Sequence, residues 1–274
     1  MAKHRIEEMT FLEFRAEAAK DPVILLPLGS VEIQGPCNPM GDFMLATDLA
    51  DQVAQRTGAL VSPTFPFGCA DYFRDVPGGM QVSAPTFRAV LRDMVTGFLD
   101  HELERILVFN GHTGNNALID ETLRQIRRER GVIIPWLNIW PLVPNSLRAE
   151  AHGENVSRAS GHGSDPIGSV YEYLRPNLTR REQADYPETA KTLLGLPTGG
   201  LNSVKLDGVD VFVPINMTDH CDATVGGDPA LANAKAGKLF ADYIVDTSSK
   251  VVEHLKTAPM RDPAPRLPHQ HLQG

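Results

Sequence analysis

The sequence predicts an α/β fold, a single domain built on a mainly parallel β-sheet. Two observations predict it. Short apolar runs alternate along the chain with longer segments of helical period, the order expected of β-α-β units. In addition, 274 residues at 42% hydrophobic and 22% charged, with no repeat of fixed period, make one sizeable domain that buries a full core without staples.

Each element follows from its own stretch. An amphipathic opening helix is expected at about residues 11–19, and the unbroken apolar run 23–28 is the first strand. Over 43–57 apolar residues recur at three- and four-residue spacing, which predicts a helix. "ALVSPTFPF" (59–67) gives a second strand. Thr86, after Pro85, opens a long helix that leads into "RILVFNG" (105–111), a strand rich in Ile, Leu, Val and Phe. "NNALIDETLRQIRRERG" (115–131) is a helix closed by Gly131, where a left-handed cap is least strained. "VIIPWLNIW" (132–140) is a fourth strand, 166–174 a helix with proline in its first turn, "DVFVPINM" (210–217) a late strand and 228–257 a long final helix. The domain is expected over residues 1–255, and the Pro-rich stretch 256–274, with His269 and His271, reads as a disordered, solvated tail.

Composition excludes several partners. The formal net charge is -8 and Lys and Arg are scattered rather than striped, so neither nucleic acid nor an anionic membrane is expected. Cys37, Cys69 and Cys221 are odd in number and form no CxxC, which points away from a disulfide framework and from a thiolate zinc site. The N-terminus has no apolar signal region, and no stretch reaches the ~18 apolar residues of a membrane span. A soluble protein of the reducing cytoplasm, acting on a small molecule, is the expectation.

In open parallel sheets ligands bind beyond the carboxyl ends of the strands, so the residues just after each strand are the ones to collect. They are Glu32, Gln34 and, past the turn "GPCNPMG", Asp42; then Asn110-Gly111-His112-Thr113-Gly114-Asn115; then His152 and "SGHGSD" with His162 and Asp165. Glu32, Asp42, His112 and Asp165 together form a ligand set suited to a divalent cation. Each has a plainer reading on its own. Glu32 can be solvated, Asp42 and Asp165 each precede a helix and can cap it, and His112 can serve a turn as a hydrogen-bonder. Their joint placement at successive strand ends is what favours the metal.

In order and over about residues 20 to 245, "LPLGSVEIQGPCNPMGD", "VFNGHTGNN", "HGSD" and "VGGDPALANAKAGK" resemble the landmarks of the creatininase family, which typically reads GSxEQHGPHLPLGTD, NGHGGN, HAGE and GDPxxAT. The resemblance implies a metal-dependent hydrolase, a three-layer sandwich with helices on both faces of the sheet, and a homohexamer. It also implies that Glu32, Asp42 and His112 hold one metal. Asp165 stands in place of the family's longer carboxylate and is carried over as a further ligand. Gln34 stands where the family has the second metal's His, and an amide oxygen is a poorer ligand than imidazole for zinc or manganese, so one ion, Zn or Mn, is expected rather than two. Cys37 replaces a second His of the loop, and Tyr72 and Phe73 replace a Glu-His pair of many relatives.

A bound cation would activate water and polarise a carbonyl, with Asp165 or His162 shuttling the proton. Backbone N–H groups of Gly111 to Asn115 are candidates to stabilise an oxyanion, and Gln34, Asn38, Tyr72, Gly111, Thr113, Gly114 and Asn115 to contact substrate. Trp136, Trp140, Tyr72 and Phe73 are candidates to wall a pocket, with a core role open to both tryptophans. The leading expectation is hydrolysis of a C–N amide bond in a small cyclic or formylated substrate. The alternatives are C–C ring opening of a cyclic diketone of the inositol kind, and a non-catalytic scaffold that has lost a complete metal centre.

Overall fold

The computed structural model describes residues 3–261. Its central sheet holds four strands, β1 (Ile24–Leu28), β2 (Leu60–Val61), β3 (Ile106–Asn110) and β4 (Trp136–Asn138), in the order β2-β1-β3-β4 and parallel throughout. The predicted strands are all present but shorter. Pro27 explains part of this. Even-numbered residues of β1 donate toward β3, so the missing N–H of Pro27 falls on the β2 side, where regular pairing has stopped at Val61 and the chain returns through a bond from Phe65 N to Pro27 O.

Alternation sorts the strand residues between two cores. Ile24, Leu26, Leu28, Ile106 and Val108 pack against α3 (Ala84–Leu99) and α4 (Asn116–Arg130), with Phe14 of α1 (Phe11–Ala18) at the margin. Leu25, Leu107 and Phe109 face α2 (Phe43–Thr57), α7 (Ile167–Leu174) and α9 (Ala234–Leu255). The result is the expected sandwich, a sheet covered on both faces, and α4 is closed by Gly131 in the left-handed region. Helix α3 starts at Ala84 rather than Thr86, because Ser83 accepts from Thr86 N and Pro85 fits the first turn.

Three expectations change. The stretch 210–217 does not join the main sheet: β8 (Val209–Phe212) pairs antiparallel with β7 (Ser203–Leu206) in an outlying hairpin, after a smaller one of β5 (Thr192–Leu193) and β6 (Leu196–Pro197), and the short α8 (Met217–His220) follows. Two helices appear where no element was expected, α5 (Asn145–His152) and the single turn α6 (Val156–Ala159). The final helix begins at Ala234, not 228, because Asn233 caps it through Ala236 N. At the other end the chain stays attached to Arg261: Ile133 N donates to Met260 O, Val132 bridges Arg261 and Met260 is buried. The rest of the stretch read as a tail, His269 and His271 included, lies outside the described residues. No described helix is long and apolar enough to cross a membrane.

Candidate metal centre

Strands β1 and β3 lie side by side in register from Ile24↔Ile106 to Leu28↔Asn110, so their carboxyl ends stop level. The chain leaves β1 toward α2 on one face and β3 toward α4 on the other, which opens a crevice between the two strand ends. Glu32 follows β1 and His112 follows β3. Asp42 sits at the N-cap position of α2, but its side chain makes no capping bond. Instead Oδ1 accepts from Ser30 N at 2.7 Å and Oδ2 meets His112 Nδ1 at 3.1 Å. The approach of α2 to the end of β1 needs Gly29, since a Cβ there would overlap Phe43 and Asp42 Oδ1.

Glu32, Asp42 and His112 each offer a buried ligand atom within 4.8 Å of the others. Glu32 Oε2 lies 3.0 Å from His112 Nδ1, while Gln34 Nε2 donates to Glu32 Oε1 at 2.9 Å. Two carboxylates buried this close together are costly without a cation between them. Burial and the charge of Glu32 push Asp42 up to about 7. Burial works against a charged His112, but Glu32 and Asp42 outweigh it and raise the imidazole to about 10. Burial likewise disfavours the charge of Glu32, yet His112 overcomes it and the carboxyl stays below its ordinary value. In the absence of an ion a protonated His112 supplies the balancing charge. Glu32 Oε2, Gln34 Oε1 and His112 Nε2 are buried with no hydrogen-bond partner among the described residues, so the pocket has polar capacity to spare. Two carboxylates and one imidazole, closely grouped and buried, fit zinc or manganese.

His162 lies at the edge of this group, with Nδ1 4.0 Å from Glu32 Oε1 and Nε2 2.7 Å from the Ile33 carbonyl, its ring stacked on Phe73 at 4.6 Å. Asp165 is not within the group. Its Oδ2 meets His152 Nε2 at 2.5 Å and Ser169 Oγ at 2.7 Å, and its Oδ1 accepts from Ser169 N at 2.8 Å, so it anchors the start of α7 and fixes the loop that carries His162. The Gly111–Asn115 turn spends most of its polar groups on itself. Gly111 N donates to Leu28 O and its carbonyl accepts from Trp140 Nε1; His112 N donates to Asn110 Oδ1, and Asn115 N to His112 O. These three N–H groups provide no oxyanion hole. The Asn115 side chain bonds Cys69 N and Gly29 O, Thr113 Oγ1 accepts from Asn138 Nδ2, and Asn38 Nδ2 donates to Gln34 O. Both tryptophans are packing residues, Trp140 in the core beside α9 and Trp136 against the α4 face. Tyr72 and Phe73 touch edge to face at 4.6 Å, with Phe73 against His162, and burial together with Glu32 and Asp42 pushes the Tyr72 phenol well above its ordinary value. The motif-level reading missed Ser30 as the donor that orients Asp42, the Ile33 carbonyl that orients His162, and the His152–Asp165 pair.

The family model described as creatinine amidohydrolase matches residues 7–252 of this chain. The chain belongs to the creatininase family. It is therefore a metal-dependent hydrolase, as members of this family are. The 3-dehydro-scyllo-inosose hydrolase of Thermotoga maritima is 25% identical, covering 96% of this chain and 86% of its own. The creatinine amidohydrolase of Pseudomonas putida is 31% identical over 44% of this chain and 51% of its own. A mycofactocin precursor peptide peptidase of Mycobacterium ulcerans is 26% identical over 84% of both chains. The solved structure "Creatininase Mn" superposes with a TM-score of 0.75 at 21% identity, over 94% of this chain and 100% of that one, which confirms the fold.

Proposed function

We propose that this protein opens the ring of a small cyclic carbonyl compound with water, using one divalent ion, and that the bond cleaved is C–C in a cyclic polyol diketone. The carrying observation is the centre itself: Glu32, Asp42 and His112 form one ligand group, and Gln34 beside Glu32 offers a neutral amide where a second ion would need a stronger ligand. The 3-dehydro-scyllo-inosose hydrolase, alike along 96% of this chain, supports the diketone. Cleavage of a C–N bond in a cyclic amide is the second reading, supported by the 31% identity to creatinine amidohydrolase.

The ion, zinc or manganese, would acidify a water and polarise the attacked carbonyl. The protein's own contribution centres on His162. A carbonyl oxygen only accepts, so Nε2, bonded to Ile33 O, carries the hydrogen and Nδ1 carries the lone pair. Burial lowers the affinity of this imidazole for a second proton, which keeps it neutral and its Nδ1 lone pair free. His162 Nδ1 takes the proton of the attacking water as the new C–O bond forms. The C–C bond then breaks, its electron pair is held as an enolate by the second carbonyl, and His162 returns the proton to that carbon to give an open-chain keto acid.

The test is product analysis. Metal-loaded protein is incubated separately with 3-dehydro-scyllo-inosose and with creatinine, and products are read by mass spectrometry. A keto acid heavier than the diketone by one water is expected. Creatine formation without keto acid would assign the C–N reaction instead, and no product from either would overturn ring opening of these substrates.

A further inference from the structure

His162 is held through its backbone as well as its ring. Its N–H donates to Val225 O at 3.2 Å and its carbonyl accepts from Val225 N at 3.1 Å, an antiparallel bridge that ties loop 161–164 to segment 222–228. The two pack backbone against backbone. A Cβ on Gly161 would overlap the Gly226 carbonyl, and one on Gly163 would overlap Gly35 and stand 3.1 Å from the Thr224 methyl. Contacts this close leave no slack, so a shift of segment 222–228 is passed to the loop that bears His162.

Segment 222–228 is fixed at both ends. At the far end Asp228 N donates to Arg158 O at 2.6 Å, and Arg158 Nη2 meets Asp228 Oδ2 at 2.7 Å. At the near end three successive N–H groups turn to one side chain. Glu188 Oε2 accepts from Asp222 N at 2.7 Å, and Oε1 accepts from Ala223 N at 2.7 Å, Thr224 N at 2.5 Å and Thr224 Oγ1 at 3.1 Å. Successive N–H groups that converge in a turn make an anion-binding concavity, and here the chain supplies the anion itself through charge-assisted bonds. Glu188 is exposed and lies on an irregular stretch, so its carboxylate rather than its packing is what the turn uses. Lys191 holds the residues just before, with Nζ donating to Thr218 O at 2.9 Å and Cys221 O at 3.0 Å. Loss of the Glu188 carboxylate therefore frees the 222–224 turn while the chain on either side stays tied.

We propose that Glu188 is a positioning residue: its carboxylate fixes the 222–224 turn and, through the Val225–His162 bridge, holds His162 Nδ1 in place at the metal centre. The inference rests on the reading of His162 as the base. A displacement of about 1 Å in a proton-transfer group costs on the order of 10²-fold in rate, so a contact outside the centre is enough to govern kcat.

The test compares metal-loaded wild type with Glu188→Ala and Glu188→Gln, with metal per chain and Tm measured alongside. Glu188→Ala is expected to keep its ion and nearly its Tm, with kcat on 3-dehydro-scyllo-inosose about 10- to 100-fold lower and KM little changed. Amide hydrogen exchange, read by mass spectrometry, is expected to quicken in peptides covering both 222–226 and 161–163. Added formate, a free carboxylate for the emptied turn, is expected to restore kcat and protection in Glu188→Ala and to leave wild type unchanged. Glu188→Gln is expected to lose less, because Oε1 still accepts while Nε2 cannot accept from Asp222 N. Wild-type kcat in Glu188→Ala would overturn the proposal, as would faster exchange confined to 222–226, or a loss of kcat that follows a fall in Tm and does not respond to formate. Failure of the base reading looks different: His162→Gln then keeps wild-type kcat, while the formate-reversible change in exchange at 161–163 remains.

Discussion

Glu32 has two oxygens with separate tasks. Oε1 is held by the Gln34 amide at 2.9 Å, and Oε2 is left for an ion beside Asp42 and His112. Replacing Gln34 by Leu removes the hold without touching a ligand, so metal affinity is expected to fall about 10- to 100-fold in a chelator competition, and activity to return at saturating metal. An unchanged affinity would mean that packing alone orients Glu32. His162→Gln is expected to lower kcat by roughly 10²- to 10⁴-fold with the ion still bound, because the orienting Ile33 carbonyl and the ligands stay in place while the base is lost. Residue types and their positions after strands made Glu32, Asp42 and His112 legible, since each lies within a few positions of a strand end or helix start. Asp165 shows where that reasoning stops. A carboxylate before a helix can serve an ion or the helix, and the choice was made by His152 and Ser169, which only the folded chain brings to it.

Among elements, the packing of α9 on α7 is the closest. A Cβ on Gly237 of α9 would overlap the Ser169 carbonyl of α7. In an isolated helix Gly→Ala stabilises, but here the overlap is with backbone, and Gly237→Ala is expected to destabilise by about 1–3 kcal/mol. At about 2–4 °C per kcal/mol for a chain of this size, calorimetry would resolve it, and a raised Tm would show that the interface yields freely. Because Ser169 holds Asp165, the same variant is expected to disturb the loop bearing His162 and lower kcat. Strong helical period made α2, α3, α4 and α9 legible to within a few residues. The run 210–217 was misassigned because apolar strand residues read alike in a core sheet and in a hairpin. Val209 and Phe212 are 64% and 76% exposed, so their strand faces outward and packs against no helix. Nothing in "NSLRAEAH" marks α5 strongly, as eight residues give too few turns for a period to stand out.

At the scale of the whole molecule, the centre links stability to pH and to metal. The folded-state affinity of His112 for a proton is raised, so its stabilising contribution to metal-free protein is fully present below the ordinary imidazole value and fades as pH rises toward about 10. Asp42 is also raised, so its protonated form contributes below the ordinary carboxyl value and that contribution is lost as pH rises through about 7. Both act in the same direction. Chelator-stripped protein is expected to lose Tm steadily from pH 6 to 9, while metal-loaded protein holds nearly level, because ion binding favours the deprotonated ligands. Parallel curves would argue against an ion at this site. The central claim, one ion held by Glu32, Asp42 and His112, is tested most directly by elemental mass spectrometry on protein purified without chelator, wild type beside His112→Ala. The account predicts about one zinc or manganese per chain in wild type and a near-complete loss in the variant; two ions per chain, or equal content in both proteins, would contradict it.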